Sequence, residues 1–160
     1  MLSRSAHLVA MGFGCGLSPK AAGTVGTLWA WLSFLVLDTL LSDSQWGILL
    51  LIAFAIGWWA STRCAQALGQ CDPGAIVWDE VLAFWIVLWL VMPASWLGQL
   101  IAFALFRFFD VAKPGPVGWA DEQFKARRGE AIGWRHGFGI LFDDLVAALC
   151  TLVVIALWKT

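Results

Sequence analysis

The chain has 160 residues, enough for one domain with a sizeable core. Its hydrophobic share is 61%, its charged share 13% and its mean hydropathy +0.80, where a water-soluble domain is nearer half apolar and a quarter charged; the composition is that of an integral membrane protein. A net charge of -1 without any long basic run argues against a nucleic-acid surface.

In chain order, residues 1–10 carry one arginine and no long apolar core, so no cleavable signal peptide is expected. Gly12, Gly14 and Gly16, followed by Ser18-Pro19-Lys20, form a glycine-spaced tract that can wrap an anion with backbone N–H groups. It is neither G-x-G-x-x-G nor a P-loop. Thr24, a candidate N-cap, and Thr27 open an apolar run reaching Leu41. The second run, Trp46 to Ala60, is short for a full span of about 20 residues. Ser61 to Gly74 reads as a polar connection, with Asp72-Pro73 as N-cap and first helical residue of the next element. The third run, Gly74 to Met92, is apolar except for Asp79 and Glu80, expected roughly 6–9 Å into the helix. The fourth runs from Trp96 to Phe109. Residues 110–139 form one long polar section, and Ile140 to Trp158 is a fifth run, interrupted early by Asp143 and Asp144.

These runs predict an all-α integral membrane bundle of four to five membrane or membrane-buried helices, one domain over residues 1–160. Twelve tryptophans fit interfacial belts. Cys15, Cys64, Cys71 and Cys150 include no C-x-x-C pair and read as small packing residues. If the five runs alternate, nine bases, Arg4, Lys20, Arg63, Arg107, Lys113, Lys125, Arg127, Arg128 and Arg135, share one side, against Lys159 alone on the other. That bias places the first side in the cytoplasm. The same alternation gathers Ser18–Thr27, Asp79-Glu80, Arg107-Asp110-Lys113 and Asp143-Asp144 there, at helix ends. Nothing in the sequence specifies an oligomeric state.

Arg107, Asp110 and Lys113 are spaced i, i+3, i+6, one slanting stripe on a helix that Pro114 stops. A carboxylate inside a membrane helix is unfavourable and marks function or a salt bridge, such as Asp79 with Arg107. Asp79, Glu80, Asp110, Asp143 and Asp144 at one locus, without suitable His or Cys ligands, suggest a hard cation such as Mg²⁺. Such an ion beside Arg107, Lys113 and Lys20 suggests a phosphate group. Adjacent acids point about 100° apart on a helix, so one of each pair is expected to face the site and the other a neighbouring base. Lys125, Arg127 and Arg128 read as a solvated or anionic-lipid-facing run; His7 and His136 read as packing or surface residues. A phosphocysteine loop is excluded, because Ala21, Gln70 and Val77 stand six positions after Cys15, Cys64 and Cys71. No D-x-D-x-T aspartyl-phosphate motif and no D-x-x-D-G-x-x-A-R tract of the CDP-alcohol transferases is present. A small carrier whose intramembrane acids bind an ion or proton is the second reading, and predicts acids near mid-span and on both sides.

Four tracts, in order, resemble the phosphatidylglycerophosphatase A family: Gly12–Pro19 with Gly23-Thr24-Val-Gly26-Thr27-Leu28; Val77-Trp78-Asp79-Glu80; Phe106-Arg107-Phe-Phe-Asp110-Val-Ala-Lys113-Pro114-Gly-Pro116; and Gly137-Phe-Gly139-Ile140-Leu-Phe-Asp143-Asp144. The resemblance implies an all-helical, Mg²⁺-dependent phosphatase of the bacterial inner membrane that converts phosphatidylglycerophosphate to phosphatidylglycerol. In that reading Asp79, Glu80, Asp110, Asp143 and Asp144 hold metal and serve catalysis, Arg107, Lys113 and Lys20 bind phosphate, and Thr24, Thr27 and the nearby glycines shape the pocket. Direct attack by water and a phospho-aspartate intermediate both fit the motif order. The chain departs from the family pattern at Ala22 (usually proline), Leu141 (usually methionine) and His136 (usually glycine). The section after Asp121 is longer than usual by about ten residues, a size that surface loops tolerate.

Overall fold

The computed structural model describes residues 2–127 and 129–159; Arg128 of the expected basic run lies outside them. Among the described residues every regular element is helical: α1 (Leu2–Ala10), a 3-10 segment (Gly12–Leu17), α2 (Ala22–Leu37), α3 (Asp43–Leu68), α4 (Trp78–Val91), α5 (Trp96–Ala112), α6 (Pro116–Gln123) and α7 (Trp134–Lys159).

The five apolar runs appear as α2, α3, α4, α5 and α7, with four changes of extent. First, α3 does not stop at Ala60. It continues to Leu68, because Ser61 and Thr62 turn inward and Thr62 Oγ1 donates to the Trp58 carbonyl at 2.7 Å. A threonine that satisfies its hydroxyl on its own helix does not end it. Ser42 and Gln45 form the capping box that starts α3, and Gly69 closes it in the left-handed region. Second, α7 begins at Trp134 rather than Ile140, so Asp143 and Asp144 lie in its third turn. Third, α2 has no Thr24 cap; its N-cap is Ala21, at φ 50°, and Thr24 sits inside the first turn. Fourth, Asp72-Pro73 does not start a helix. The chain turns there, Ile76 N–H donates to the Pro73 carbonyl at 2.9 Å, and α4 starts after Val77.

α3 and α7, at 26 residues each, are long and apolar enough to cross a membrane. α4 is the central element, packed against α2, α3, α5 and α7, and from Trp78 to Trp85 every residue is buried. Outside it, α2, α3, α5 and α7 present large apolar side chains outward, including Leu32, Leu51, Leu97 and Leu149.

The tryptophans divide between two roles. Trp96, Trp119, Trp134 and Trp158 are exposed, as a belt requires. Trp46, Trp78 and Trp85 are core residues. Trp78 Nε1 donates to the Ala53 carbonyl at 3.0 Å, tying α4 to α3, and Trp85 Nε1 donates to the Ala30 carbonyl at 3.0 Å, tying α4 to α2. An indole combines apolar bulk with one donor, so it crosslinks helices when that donor finds a backbone carbonyl.

Candidate active site

Asp79 and Glu80 stand in the first turn of α4, not deeper as the sequence spacing suggested, because the helix begins at Trp78. Free backbone N–H groups and the positive end of the helix dipole favour anions there. Asp144 comes from the third turn of α7, which packs along α4. One ligand oxygen from each of Asp79, Glu80 and Asp144 lies within 4.8 Å of the others. Asp79 Oδ1, Glu80 Oε2 and Asp144 Oδ2 are buried and accept no hydrogen bond among the described residues. Buried carboxylate oxygens facing one another lack an offsetting charge, and an all-oxygen donor set of this kind fits a hard divalent cation.

The last turn of α5 supplies the adjoining base. Arg107 Nη1 pairs with Asp110 Oδ2 and lies 3.7 Å from Glu80 Oε1. The pair expected at Asp79 thus forms at Glu80. Arg107 Nε is buried without an acceptor among the described residues. Asp110 is close enough to Asp144 for their charges to interact, so it borders the acid cluster while its own charge is held by Arg107. The backbone of α2 closes the other side. A Cβ on Gly23 would collide with Glu80 Oε1 and come within 3.0 Å of Arg107 Nη1, so a larger residue here would displace those two side chains from their present positions.

Lys113 does not extend the helical stripe. It caps α5 at φ 46°, and the left-handed turn swings its ammonium to Asp121 Oδ1 at 2.5 Å and Asp143 Oδ2 at 2.7 Å. Asp143 therefore faces a base while its neighbour Asp144 faces the acid cluster, the division expected of adjacent helical acids. Asp121, to which the sequence motifs assign no role, borders the site. It also takes Lys125 Nζ on Oδ2 at 2.6 Å, so Lys125 is an ion-pair partner and not simply part of a solvated run. The i, i+4 spacing of Asp121 and Lys125 was the available signal. Burial alone would raise the Asp121 carboxyl, but hydrogen bonds from Lys113 and Lys125 outweigh it and hold it below the usual range. For Lys113 burial works downward, yet the bonds to Asp121 and Asp143 raise it above the ordinary lysine value.

The remaining expected site residues lie at the margin. Thr27 is buried, and its hydroxyl donates to the Gly23 carbonyl at 2.8 Å, fixing the turn of α2 that carries Gly23. Thr24 is half-buried one residue beyond Gly23, and Lys20 is exposed in the turn before α2. His136, read as packing or surface, is buried at the foot of α7.

Comparison with known proteins gives the family. The family model described as phosphatidylglycerophosphatase A matches residues 8–159. Phosphatidylglycerophosphatase A of Haemophilus influenzae is 38% identical over 149 residues, 93% of this chain and 85% of the relative. The Escherichia coli K12 protein of the same name is 34% identical over 148 residues, 92% of this chain and 80% of the relative. A Bacteroides thetaiotaomicron protein provisionally named a phosphatidylinositol-3-phosphatase is 37% identical over 157 residues, covering 93% of this chain and 90% of its own. No solved structure matches. With a family match over nearly its whole length, the chain belongs to the phosphatidylglycerophosphatase A family and is a phosphatase.

Proposed function

We propose that this protein hydrolyses phosphatidylglycerophosphate to phosphatidylglycerol and phosphate, with Mg²⁺ as cofactor, in glycerophospholipid biosynthesis at the cytoplasmic face of the bacterial inner membrane. The observation that carries the reading is the buried triad Asp79, Glu80 and Asp144, with three unpartnered oxygens, beside an arginine whose Nε is also unpartnered.

Asp79, Glu80 and Asp144 are the residues that would hold the ion. When bound, Mg²⁺ supplies Lewis-acid stabilisation of charge growing on the phosphoryl oxygens. Arg107 offers its free N–H to a phosphoryl oxygen, and its pairing with Asp110 and Glu80 fixes the plane of the guanidinium. Lys113, fixed between two carboxylates, adds positive charge without the freedom of an exposed lysine. The cluster is closed to bulk water on the α2 side by the glycine contact, which strengthens each of these interactions.

A bilayer setting is supported by the two helices of spanning length and by the outward apolar faces of α2, α3, α5 and α7, since a water-soluble monomer rarely exposes so large an apolar surface. The charge bias of nine bases to one supports the cytoplasmic side for the site. The carrier alternative is not favoured: the family is one of phosphatases, and Asp38 and Asp43, the carboxylates of the far end, are exposed.

The test is phosphate release from phosphatidylglycerophosphate by the detergent-purified protein. Release should require Mg²⁺, stop with chelator, and fall about 100-fold or more in Asp144→Asn. Turnover that survives both chelation and this substitution would remove the basis of the reading.

A further inference from the structure

α6 is fastened at both ends, and the fastening fixes Asp121. Near its start, Gly118 stands over the Lys113 carbonyl, which a Cβ there would approach to 2.7 Å. Just past its end, Phe124 packs edge-on against Phe138 and Phe142 of α7, and a Cβ on Gly139 would collide with Phe124 Cβ. A carboxylate on a helix held this way is a fixed point, as one on a free loop is not.

The two oxygens of Asp121 take different partners. Oδ1 accepts from Lys113 Nζ at 2.5 Å, and Oδ2 pairs with Lys125 Nζ at 2.6 Å. The Lys125 side chain is 65% exposed, and an ion pair of that kind contributes little. Lys113 is different. Its side chain is 29% exposed, and it makes a second charged bond, to Asp143 Oδ2 at 2.7 Å. Asp143 Oδ1 in turn accepts the Asp144 backbone N–H at 3.1 Å, so this second anchor adjoins the acid cluster.

An ammonium has three donors on a flexible four-carbon stem. A single ion pair to Asp143 would leave it free to turn about that bond. Bonds to two carboxylates on different helices remove the freedom, and the direction of the third N–H is then set by tetrahedral geometry.

We propose that Asp121 is a positioning residue of the phosphatase site. It gives Lys113 a second anchor and so directs the remaining N–H of the ammonium to a phosphoryl oxygen of the substrate. The inference rests on the reading in which Lys113 adds its charge to the phosphate site. Asp121 itself touches no substrate, and Asp143 and Lys113 carry its effect inward.

The experiment is a double-mutant cycle in the detergent-purified protein, with phosphatidylglycerophosphate and Mg²⁺, reading KM and kcat separately. Lys113→Met should lower kcat/KM about 100-fold. Asp121→Asn, which keeps the size and loses the charge, should lower it about tenfold, with part of the loss as a higher KM. A partly unfolded preparation lowers the apparent kcat but leaves KM unchanged, so KM separates positioning from stability. Adding Asp121→Asn to Lys113→Met should change kcat/KM by less than about twofold, because the group through which Asp121 acts is gone. Lys125→Met, which removes only the exposed partner, should also stay within about twofold of the wild type. An unchanged KM in Asp121→Asn, or losses that multiply in the double variant, would overturn the role and leave Asp121 a structural ion pair. Where Asp121→Asn does not fold, Asp121→Glu, which keeps the charge and moves it by one methylene, runs the same cycle under the same two criteria. A Lys113→Met variant as active as the wild type would overturn the role while leaving the acid-cluster reading in place. Absence of release by the wild type is a different result and would remove the phosphatase reading together with this role.

Discussion

Asp79, Glu80 and Asp144 are placed where folding alone would not choose them. Each is buried, and each keeps an oxygen without a donor among the described residues. Such convergence is destabilising unless a cation or substrate completes it, and residues of this kind exchange stability for function. Asp144→Asn should therefore raise the melting temperature of the metal-free protein, by about 2–4 °C, while abolishing activity. Mg²⁺ should stabilise the wild type but not the variant, because an ion that binds only the folded state shifts unfolding by mass action. A variant less stable than the wild type without metal would contradict this account. Asp121 behaves in the opposite way. Its carboxyl is held low by Lys113 and Lys125, so its contribution to stability is full above the unfolded value of about 3.9 and disappears as pH falls through the lower folded value. The raised lysine contributes below its unfolded value of about 10.4 and keeps contributing until pH climbs past its folded value. Thermal melts of Asp121→Asn should show a deficit that is constant between about pH 5 and 9 and narrows below about pH 4; a deficit that widens in acid would show that the bridge is not its source.

Between elements, contact is governed by which side chains let helices approach. α4 packs against most of the other helices, and α3 can lie against it because Gly57 faces the Trp78 indole. A Cβ on Gly57 would collide with Trp78 Cδ1 and approach its Nε1 to 2.6 Å, disturbing the bond from that nitrogen to the Ala53 carbonyl. Gly57→Ala should cost about 1–3 kcal/mol through overpacking, read as a lower melting point in detergent, with the loss reduced when Trp78 is also shortened to Leu. Additive losses in the double variant would show that the two residues do not meet. The apolar runs made these helices legible in the sequence, since long stretches of hydrophobic residues have few alternatives. Their ends were less legible. Ser61 and Thr62 looked like a connection, but inside the bundle both bury and Thr62 bonds to its own helix; Thr24 looked like a cap, but Ala21 in the left-handed region starts α2 instead. Local chemistry proposes a boundary, and packing chooses among the candidates.

For the molecule as a whole, the alternation of α2, α3, α4, α5 and α7 brings one set of helix ends to the acid cluster and the other set to the turns at 38–42 and 92–95. Cytoplasmic placement of the site predicts opposite accessibility at two exposed positions. In a background lacking the native cysteines, Gln70→Cys should react with a membrane-impermeant maleimide only in inverted vesicles, and Ser44→Cys only in intact spheroplasts. The reverse pattern would place the site on the outer side. The apolar composition, the number of apolar helices, the four motif tracts and the convergence of acids with Arg107 were decided by composition, run length and alternating connection, because hydrophobic length and charge bias act without regard to detailed packing. Tertiary structure alone decided that Asp144 joins Asp79 and Glu80 while Asp143 turns to Lys113, that Asp121 holds two lysines, and that His136 is buried. Those outcomes depend on helix rotation and on one left-handed residue, Lys113, and angles of that kind are set by what the neighbouring helix presents, which no single stretch of sequence contains.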